Sequence, residues 1–286
     1  MKDSKWKVLG AVTILLFLSA CGEKKEDVPE DNTQTEITET EPVEMETVEE
    51  EPEEDDGSYY FNGEFVVFGK YEQDGDLSNG PEPVEWTILE EDDEKMFLIS
   101  RYILDCHTYN TEDKEVSWES CELRTWLNND FYNDAFSPAA QQRILTTDIS
   151  VSDNAFFDTD GGNDTQDKIF CLSVEEIWKY YEVLKWYDEN QTGFSSELIT
   201  DMTQYAEDNG ADHYTITQED YDYFMVFNDC DSDVIGKSSG GWWLRSPGHD
   251  GDWACMVNYR GNFGWHSDSY VEFARNGVRP AMYIEK

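Results

Sequence analysis

Basic residues are scarce in this chain. Lys and Arg total 20 against 64 Asp and Glu, so the 286 residues carry a formal net charge of −44. Nucleic acids and anionic lipid surfaces are bound through basic patches, and this balance argues against both as partners. It is compatible with Ca²⁺, cationic ligands and neutral glycans.

The spacings of common catalytic motifs are also missing. The four His residues form no His-x-x-x-His pair, and neither Gly-x-Ser-x-Gly nor Cys-x-x-Cys occurs. Asp and Glu are so abundant that carboxylate pairs suited to glycoside hydrolysis arise by chance at any spacing. The sequence therefore identifies no catalytic residue, and an envelope enzyme acting on glycan or peptide stays an alternative.

The apolar run at residues 8–18 is too short to span a bilayer, and it follows three Lys residues. A basic start, a short apolar centre and small residues before position 21 predict a secretory signal peptide over residues 1–20. The Leu-Ser-Ala-Cys at 18–21 resembles the lipobox of bacterial lipoproteins. That resemblance implies acyl chains such as palmitate on Cys21 and anchoring at the extracytoplasmic face of the cell membrane. The alternative is an ordinary cleaved signal with a chance Cys.

The segment after the predicted lipidation site has no aromatic residue as far as Gly57 and is dominated by Glu and Asp. Low hydrophobicity and like charges predict a disordered, extended tether over residues 21–57, with an acidic docking tail as the alternative. Residues 58–286 are long enough and aromatic enough for one globular extracellular domain.

Five Cys residues fall in that domain, an odd number that leaves at least one unpaired. An exported location permits disulfides, but the spacing fits no zinc site. One or two bridges and buried thiols are both open. The residues are Cys106, Cys121, Cys171, Cys230 and Cys255.

Alternating patterns predict strands at 64–70, 84–89, 95–100 and 278–284. Helix signals lie between them: Ser120 as a cap, Ser137 followed by Pro138, and a Ser173 to Glu176 capping box. The capping box begins a helical face that extends to residue 184, and another helix is expected over 197–208. Strands at both ends enclosing helices predict an α+β fold with paired terminal strands.

A series of motifs runs in order through the domain and includes Trp-Trp-Leu-Arg-Ser-Pro-Gly at 242–248 and Gly-Val-Arg-Pro-Ala at 277–281. The sequence resembles an uncharacterised family of bacterial extracellular domains of unknown function. More distantly it is similar to the C-type-lectin-like fold in its formylglycine-generating-enzyme variant. An oxidase of that kind needs a pair of nearby cysteines, one of them reactive as the thiolate. The sequence lacks that pair, so the resemblance implies fold and not activity.

The C-terminal stretch, residues 242–273, alternates aromatic side chains with hydrogen-bonding ones. Exposed side chains of these two kinds commonly bind sugars or protein surfaces. The alternative is that these rings pack the core, which we expect for about half of them. Three arginines, Arg124, Arg245 and Arg279, are expected to hold the fold. The predicted ligand-binding residues are Trp243, Trp253, Tyr259, Asn262, Phe263, Trp265, His266 and Tyr270.

Three Asp-rich loops, at 158–164, 229–233 and 249–252, offer oxygen ligands suited to Ca²⁺. None is an EF-hand, and Asx turns alone explain such loops. The candidate metal set is Asp158, Asp160, Asn163 and Asp164, and Ca²⁺ is the only cofactor that the sequence suggests.

Together these patterns predict a lipid-anchored cell-surface protein whose domain binds a glycan or protein ligand without catalysis. The alternatives are an envelope enzyme and an interaction subunit of an envelope assembly.

Overall fold

Both ends of the domain lie in one five-stranded sheet, but the expected pairing of its terminal strands is wrong. The first strand, Tyr60–Asn62, pairs with Phe65–Tyr71, and the last, Ala281–Glu285, pairs with Lys95–Ser100. In this computed structural model the described residues are 56–186, 192–227 and 232–286. The signal peptide, Cys21, nearly all of the tether, and residues 229–231 of the second Asp-rich loop, which include Cys230, lie outside them. None of the helices in these ranges has the length and apolarity needed to cross a membrane.

Many short strands run through the described ranges. They are β1 (Tyr60–Asn62), β2 (Phe65–Tyr71), β3 (Glu82–Glu91), β4 (Lys95–Ser100), β5 (Asp105–Cys106), β6 (Thr147–Ile149), β7 (Thr165–Asp167), β8 (Leu184–Trp186), β9 (Thr192–Phe194), β10 (Tyr214–Thr215), β11 (Ser238–Ser239), β12 (Trp242–Pro247), β13 (Trp253–Val257), β14 (Asn262–Gly264), β15 (Asp268–Tyr270), β16 (Gly277–Val278) and β17 (Ala281–Glu285).

The helices are short and lie between the terminal strands. They are α1 (Glu122–Trp126), α2 (Tyr132–Ala135), α3 (Pro138–Gln141), α4 (Val174–Tyr180), α5 (Gln204–Asp208) and α6 (Gln218–Phe227). Single 3₁₀ turns cover Trp118–Ser120, Ser196–Leu198 and Ser232–Val234, and a π-helical turn covers Leu127–Phe131. Helices enclosed by strands make this an α+β domain.

The first sheet has the order β1-β2-β3-β4-β17 and is antiparallel throughout. The three strands predicted at 64–70, 84–89 and 95–100 are confirmed as β2, β3 and β4. The C-terminal strand joins β4 in a register that sets Ala281 opposite Ile99 and Glu285 opposite Lys95. This pairing joins the two ends of the domain in one sheet.

The second sheet has the order β15-β13-β12-β16-β5 and carries the candidate site at one edge. Its central strand β12 is buried at every residue, which explains its nearly continuous run of large side chains. Strand β13 lies between β12 and the edge strand β15. Because both neighbours run antiparallel to β13, the turn that follows β12 emerges beside the end of β15 at Tyr270.

The Ser173 capping box is confirmed. The Ser173 hydroxyl accepts from the Glu176 N–H at 3.1 Å, and the Glu176 carboxylate accepts from the Ser173 N–H at 2.9 Å. The helix ends at Tyr180, so the prediction that its face extends to Leu184 is wrong. Tyr181 is extended, and the segment beyond it pairs with β9, a tertiary pairing that overrides the helical pattern.

The predicted helix at 197–208 is also wrong as one element. A 3₁₀ turn ends at Leu198, and α5 begins only after Thr203, whose hydroxyl accepts from the Ala206 N–H. Between them, the Met202 N–H donates to the Ser238 carbonyl, and the Thr203 N–H donates to the Ile103 carbonyl. These bonds to distant segments hold the chain extended where its local pattern favours a helix.

Two predicted caps have different outcomes. Ser137 caps α3 and accepts from the Ala140 N–H at 3.1 Å, as expected. Ser120 belongs to a 3₁₀ turn, and Cys121 takes the cap position of α1, with its sulfur accepting from the Arg124 N–H at 3.3 Å.

We expect Ser173→Ala to lower the free energy of unfolding by about 1 kcal/mol, because an orphaned helix N–H loses its acceptor. Urea unfolding followed by circular dichroism measures the change. Ser120→Ala is the matched control, since Ser120 is exposed and caps no helix, and its change should stay within about 0.5 kcal/mol. Equal losses in the two variants would contradict the assignment of the cap.

The cysteines of the described ranges are free thiols, of which Cys106 is partly exposed and Cys121, Cys171 and Cys255 are buried. Burial raises the pKa of the Cys255 thiol well above its ordinary value. The thiolate is the reactive form, so this cysteine is unsuited to nucleophilic or redox chemistry.

The three arginines hold the fold as predicted. Arg245 binds the Glu176 carboxylate, Arg279 donates twice to the Ser100 carbonyl, and Arg124 binds the buried Asp167. Bidentate and multiple donation of this kind suits the planar guanidinium.

Candidate ligand-binding site

Six aromatic and imidazole rings form a continuous row on the surface, which we call the aromatic strip. Three loops supply them: the loop before β7, the turn after β12 with the start of β13, and the segment from residue 265 through β15. The members of the strip are Phe156, Phe157, His249, Trp253, His266 and Tyr270.

Each ring of the strip touches the next. The His266 ring centroid lies 4.3 Å from that of Phe156 and 4.8 Å from that of Phe157. The ring centroids of Phe157 and His249 are 5.7 Å apart, and those of His249 and Trp253 are 4.3 Å apart. The row therefore crosses the boundary between loops without a gap.

The strip is exposed although most of it is apolar. The exposed fractions are 46% for Phe156, 38% for Phe157 and 50% for Tyr270. Contiguous apolar surface of this kind marks interaction sites, because single rings are common on surfaces and rows of rings are not. The strip offers flat area at low entropic cost to a ligand.

Asn154 ties the loops of the strip together. It is fully buried, and its amide nitrogen donates to the Pro247 carbonyl at 3.0 Å and the Gly248 carbonyl at 2.9 Å. Its amide oxygen accepts from the N–H groups of Phe156 at 3.0 Å and Phe157 at 3.2 Å. One buried side chain thus fixes the two Phe residues against the turn that carries His249.

The other end of the strip is set by strand pairing and one carboxylate. Trp253 lies opposite Tyr270 in the β13–β15 register, and their ring centroids are 3.8 Å apart. Asp268 accepts from the His249 backbone N–H at 2.7 Å and lies 2.8 Å from its Nδ1. These contacts hold the imidazole between Phe157 and Trp253.

Beside the strip lies a cavity of about 510 Å³, which we call the acidic cleft. It shares the loops of Phe157 and His249, because Thr159, Asp160, Asp250 and Gly251 are among its walls. No Lys or Arg is among the residues that line it. The whole lining is Glu115, Val116, Ser117, Glu119, Ser120, Thr159, Asp160, Gly162, Asn163, Asp250 and Gly251.

The walls of the cleft are held close together. The Val116 N–H donates to the Gly251 carbonyl at 2.9 Å. Gly162 has a φ of +82°, and a Cβ there would lie 2.5 Å from the Ser117 hydroxyl oxygen. Only glycine fits both the backbone angle and the approach. The Asn163 amide then donates to Glu119 at 3.0 Å across the cleft.

The predicted ligand-binding residues are divided by the fold. Trp253, His266 and Tyr270 belong to the strip. Trp243, Phe263 and Trp265 are buried, the first two completely, and this corrects the expectation that they contact a ligand. Trp243 lies on the central strand β12, and its indole N–H donates a hydrogen bond to the His107 carbonyl. Rings on a strand covered on both faces become core.

Tyr259 and Asn262 lie away from the strip. Tyr259 stacks on Tyr214 with ring centroids 4.1 Å apart, and the Arg260 guanidinium lies 5.0 Å from its ring. Asn262 is half-buried, and its side-chain amide donates to the side-chain oxygen of Asn258, four residues earlier, at 3.4 Å. The predicted stretch therefore contributes to more than one surface.

The predicted calcium ligands do not converge. Asp160 and Asn163 line the acidic cleft, whereas Asp164 accepts from the Val151 N–H at 3.3 Å and Asp158 is exposed. The four side chains form no single ligand set in this conformation. Hydrogen bonds from Asp and Asn side chains to nearby backbone groups explain much of the loop conformation.

A carboxylate group that the sequence analysis missed lies in the β2–β3 loop. Glu72, Asp74 and Glu82 bring one oxygen each within 4.8 Å of the others, the one such group of three in the described ranges. Their oxygens already accept backbone bonds, including those from Gly75 to Glu72 and Gln73 to Glu82. Turn chemistry therefore explains the group.

The strip contains three residues that sequence reasoning also missed: Phe156, Phe157 and His249. The available signal was an Asn two residues before a Phe pair, since Asn commonly bonds to backbone two residues ahead. Asn154 itself is recognisable as a hub only in the folded structure.

Residues 93–286 match the family described as a domain of unknown function, DUF6273. The chain belongs to the DUF6273 family. This confirms the expected membership in an uncharacterised domain family. No curated protein and no solved structure matches the chain. In this DUF6273 protein the strip and the acidic cleft both lie within the matched residues, whereas β1, β2 and β3 precede them.

Proposed function

We propose that this protein is a lipid-anchored, non-catalytic ligand-binding protein on the extracytoplasmic face of a bacterial membrane. The observation that carries the proposal is the aromatic strip, an exposed row of rings held in place by the buried Asn154. Apolar rings left exposed to water do not contribute the stabilisation that their burial in the core would give. A contiguous exposed row of rings therefore indicates a surface that a ligand covers.

The location rests on the sequence. The signal peptide predicted at 1–20, the predicted lipidation of Cys21 and the acidic tether would together hold the domain outside the membrane and some distance from it. The net charge of −44 favours a neutral or cationic partner over an anionic one.

The C-type-lectin-like fold is the finer part of the proposal. Terminal strands that belong to one sheet and a late, loop-rich segment that carries most of the strip support it. The competing enzyme function draws no support from the thiols, since Cys255 is buried with a raised pKa.

The test is capture of ligands from an array of bacterial and host glycans and envelope proteins, with Ca²⁺ and with chelator. We expect Phe156→Ala with Tyr270→Ala to weaken capture at least tenfold, because two exposed ring faces are lost. The melting temperature should change little, since both rings are about half exposed.

The matched control is Tyr60→Ala with Phe61→Ala, which removes two rings of similar exposure from the edge strand β1. This control should capture ligand as the unaltered protein does. Full capture by the strip variant, or equal loss in both variants, would remove the strip as the contact surface. Loss of capture on chelation would reveal a metal-dependent contact.

A further inference from the structure

We infer that the ligand of the aromatic strip is a glycan that carries protonated amino groups, such as a polymer of hexosamine without N-acetyl groups. This inference rests on the proposed binding function and names its ligand class. It depends on the strip and on the charge of the surface next to it.

The ring faces account for the sugar. An exposed row of aromatic rings matches the apolar faces of successive pyranose rings, and each pair buries area that is otherwise hydrated. The strip has such a row from Phe156 through His266 and Phe157 to His249, in which each ring centroid lies within 5.7 Å of the next. Tyr270 extends it beyond Trp253.

The acidic cleft accounts for the amino groups. Asp250 follows His249 in the chain, and Asp160 lies three residues after Phe157. A ligand seated on the strip thus lies beside carboxylates on both shared loops. Glu115 and Glu119 add two more negative charges to the same cleft. Opposite charges across an interface raise the association rate and select among partners.

The described bases next to the cleft are paired with carboxylates outside its lining. The Arg124 guanidinium, which donates to the Glu119 carbonyl at 3.0 Å, binds Asp167 at 2.6 Å. The lining of the cleft contains no Lys or Arg, and the nearest base in sequence, Lys114, is paired with Glu112 at 2.8 Å. The carboxylate of Asp268 is taken by His249. The acidic cleft therefore keeps a net negative charge that a cationic ligand complements.

The neutral part of the cleft favours a hydroxyl-rich ligand over a basic peptide. Its polar side chains are hydroxyls and one amide, which are short donors and acceptors of the kind that pair with sugar hydroxyls. They are Ser117, Ser120, Thr159 and Asn163. A cationic glycan would pack on the rings of the strip, pair with the carboxylates and form hydrogen bonds with these neutral groups.

The test compares three probes by calorimetry at pH 6 and low salt, using the full chain in detergent. The probes are a glucosamine hexamer, its fully N-acetylated counterpart and hexalysine. We expect the glucosamine hexamer to bind at least tenfold more tightly than the N-acetylated one. We also expect Glu119→Gln with Asp160→Asn to reduce that preference to less than threefold.

Both substitutions keep an oxygen where the carboxylate now accepts a hydrogen bond, from Asn163 and from the Gly162 N–H respectively. The control is Asp93→Asn in the exposed β3–β4 turn, which should leave the preference unchanged. Affinity for the N-acetylated hexamer should be the same in the Asp93→Asn variant as in the unaltered protein. Thermal unfolding checks that each variant is folded.

Each other outcome overturns the inference. Equal binding of the two hexamers would exclude a role for the amino groups, while the proposed function would stand. Binding of hexalysine alone would identify a basic peptide as ligand. Binding of no probe would exclude this ligand class. Failure of the proposed function has a different signature, because Phe156→Ala with Tyr270→Ala would then leave all binding unchanged.

Discussion

Arg245→Ala should lower the free energy of unfolding by about 3–5 kcal/mol, the largest electrostatic effect that we expect in this domain. The guanidinium is 5% exposed and binds the Glu176 carboxylate at 2.5 and 2.9 Å. It also donates to the Cys171 carbonyl at 2.9 Å. Its removal leaves a mostly buried carboxylate and a buried carbonyl without their partner.

Urea unfolding measures this change, and two variants sharpen it. Arg245→Lys keeps the charge but loses the planar fork, so its loss should be intermediate. Arg275→Ala removes a surface pair with Asp212 at 3.0 Å, and its loss should stay under about 1 kcal/mol because 64% of the Arg275 side chain is exposed. Similar losses for Arg245→Ala and Arg275→Ala would contradict the burial argument.

Trp243→Ala should cost about 3–5 kcal/mol, because it opens a large cavity on the central strand β12. The indole is completely buried, packs edge-on against Tyr109 at 5.6 Å, and donates to the His107 carbonyl at 2.7 Å. The substitution removes the ring contacts and the hydrogen bond together.

Calorimetric or urea unfolding reports the cost, and Tyr270→Ala is the comparison. Both aromatic residues lie in the same predicted ligand-binding stretch, but Tyr270 is half exposed and should change stability by less than about 1 kcal/mol. The two variants thus separate core from surface within one sequence pattern. A small loss for Trp243→Ala would mean that β12 is not the covered strand described above.

Strand prediction succeeded where the alternating pattern and the sheet agree. The segment 95–100 became β4 with the same bounds, whereas the strand predicted at 278–284 is divided between β16 and β17, of which β17 pairs with β4. Helix prediction succeeded where a local cap decides, as at Ser173. It failed at residues 199–203, because bonds from that segment to Ile103 and Ser238 replace those of a helix. Local propensity is a weak determinant when distant partners compete.

The candidate site was only partly predictable for the same reason. Composition marks the C-terminal stretch as rich in rings, and Trp253, His266 and Tyr270 do belong to the strip. Periodicity cannot tell which rings a sheet covers, so Trp243 and Phe263 were misplaced. Phe156 and Phe157 come from a loop about 100 residues earlier, and no spacing rule links them to His266.

The sequence by itself determined the acidic charge, the α+β class, the strands β2, β3 and β4 of the first sheet and the cap of α4. These depend on composition, on alternation and on interactions within a few residues. Only the tertiary structure decided which aromatics face water and which carboxylates share a cavity. Those properties depend on contacts between segments far apart in the chain. The buried amide of Asn154, which joins two such segments, is the physical link between them.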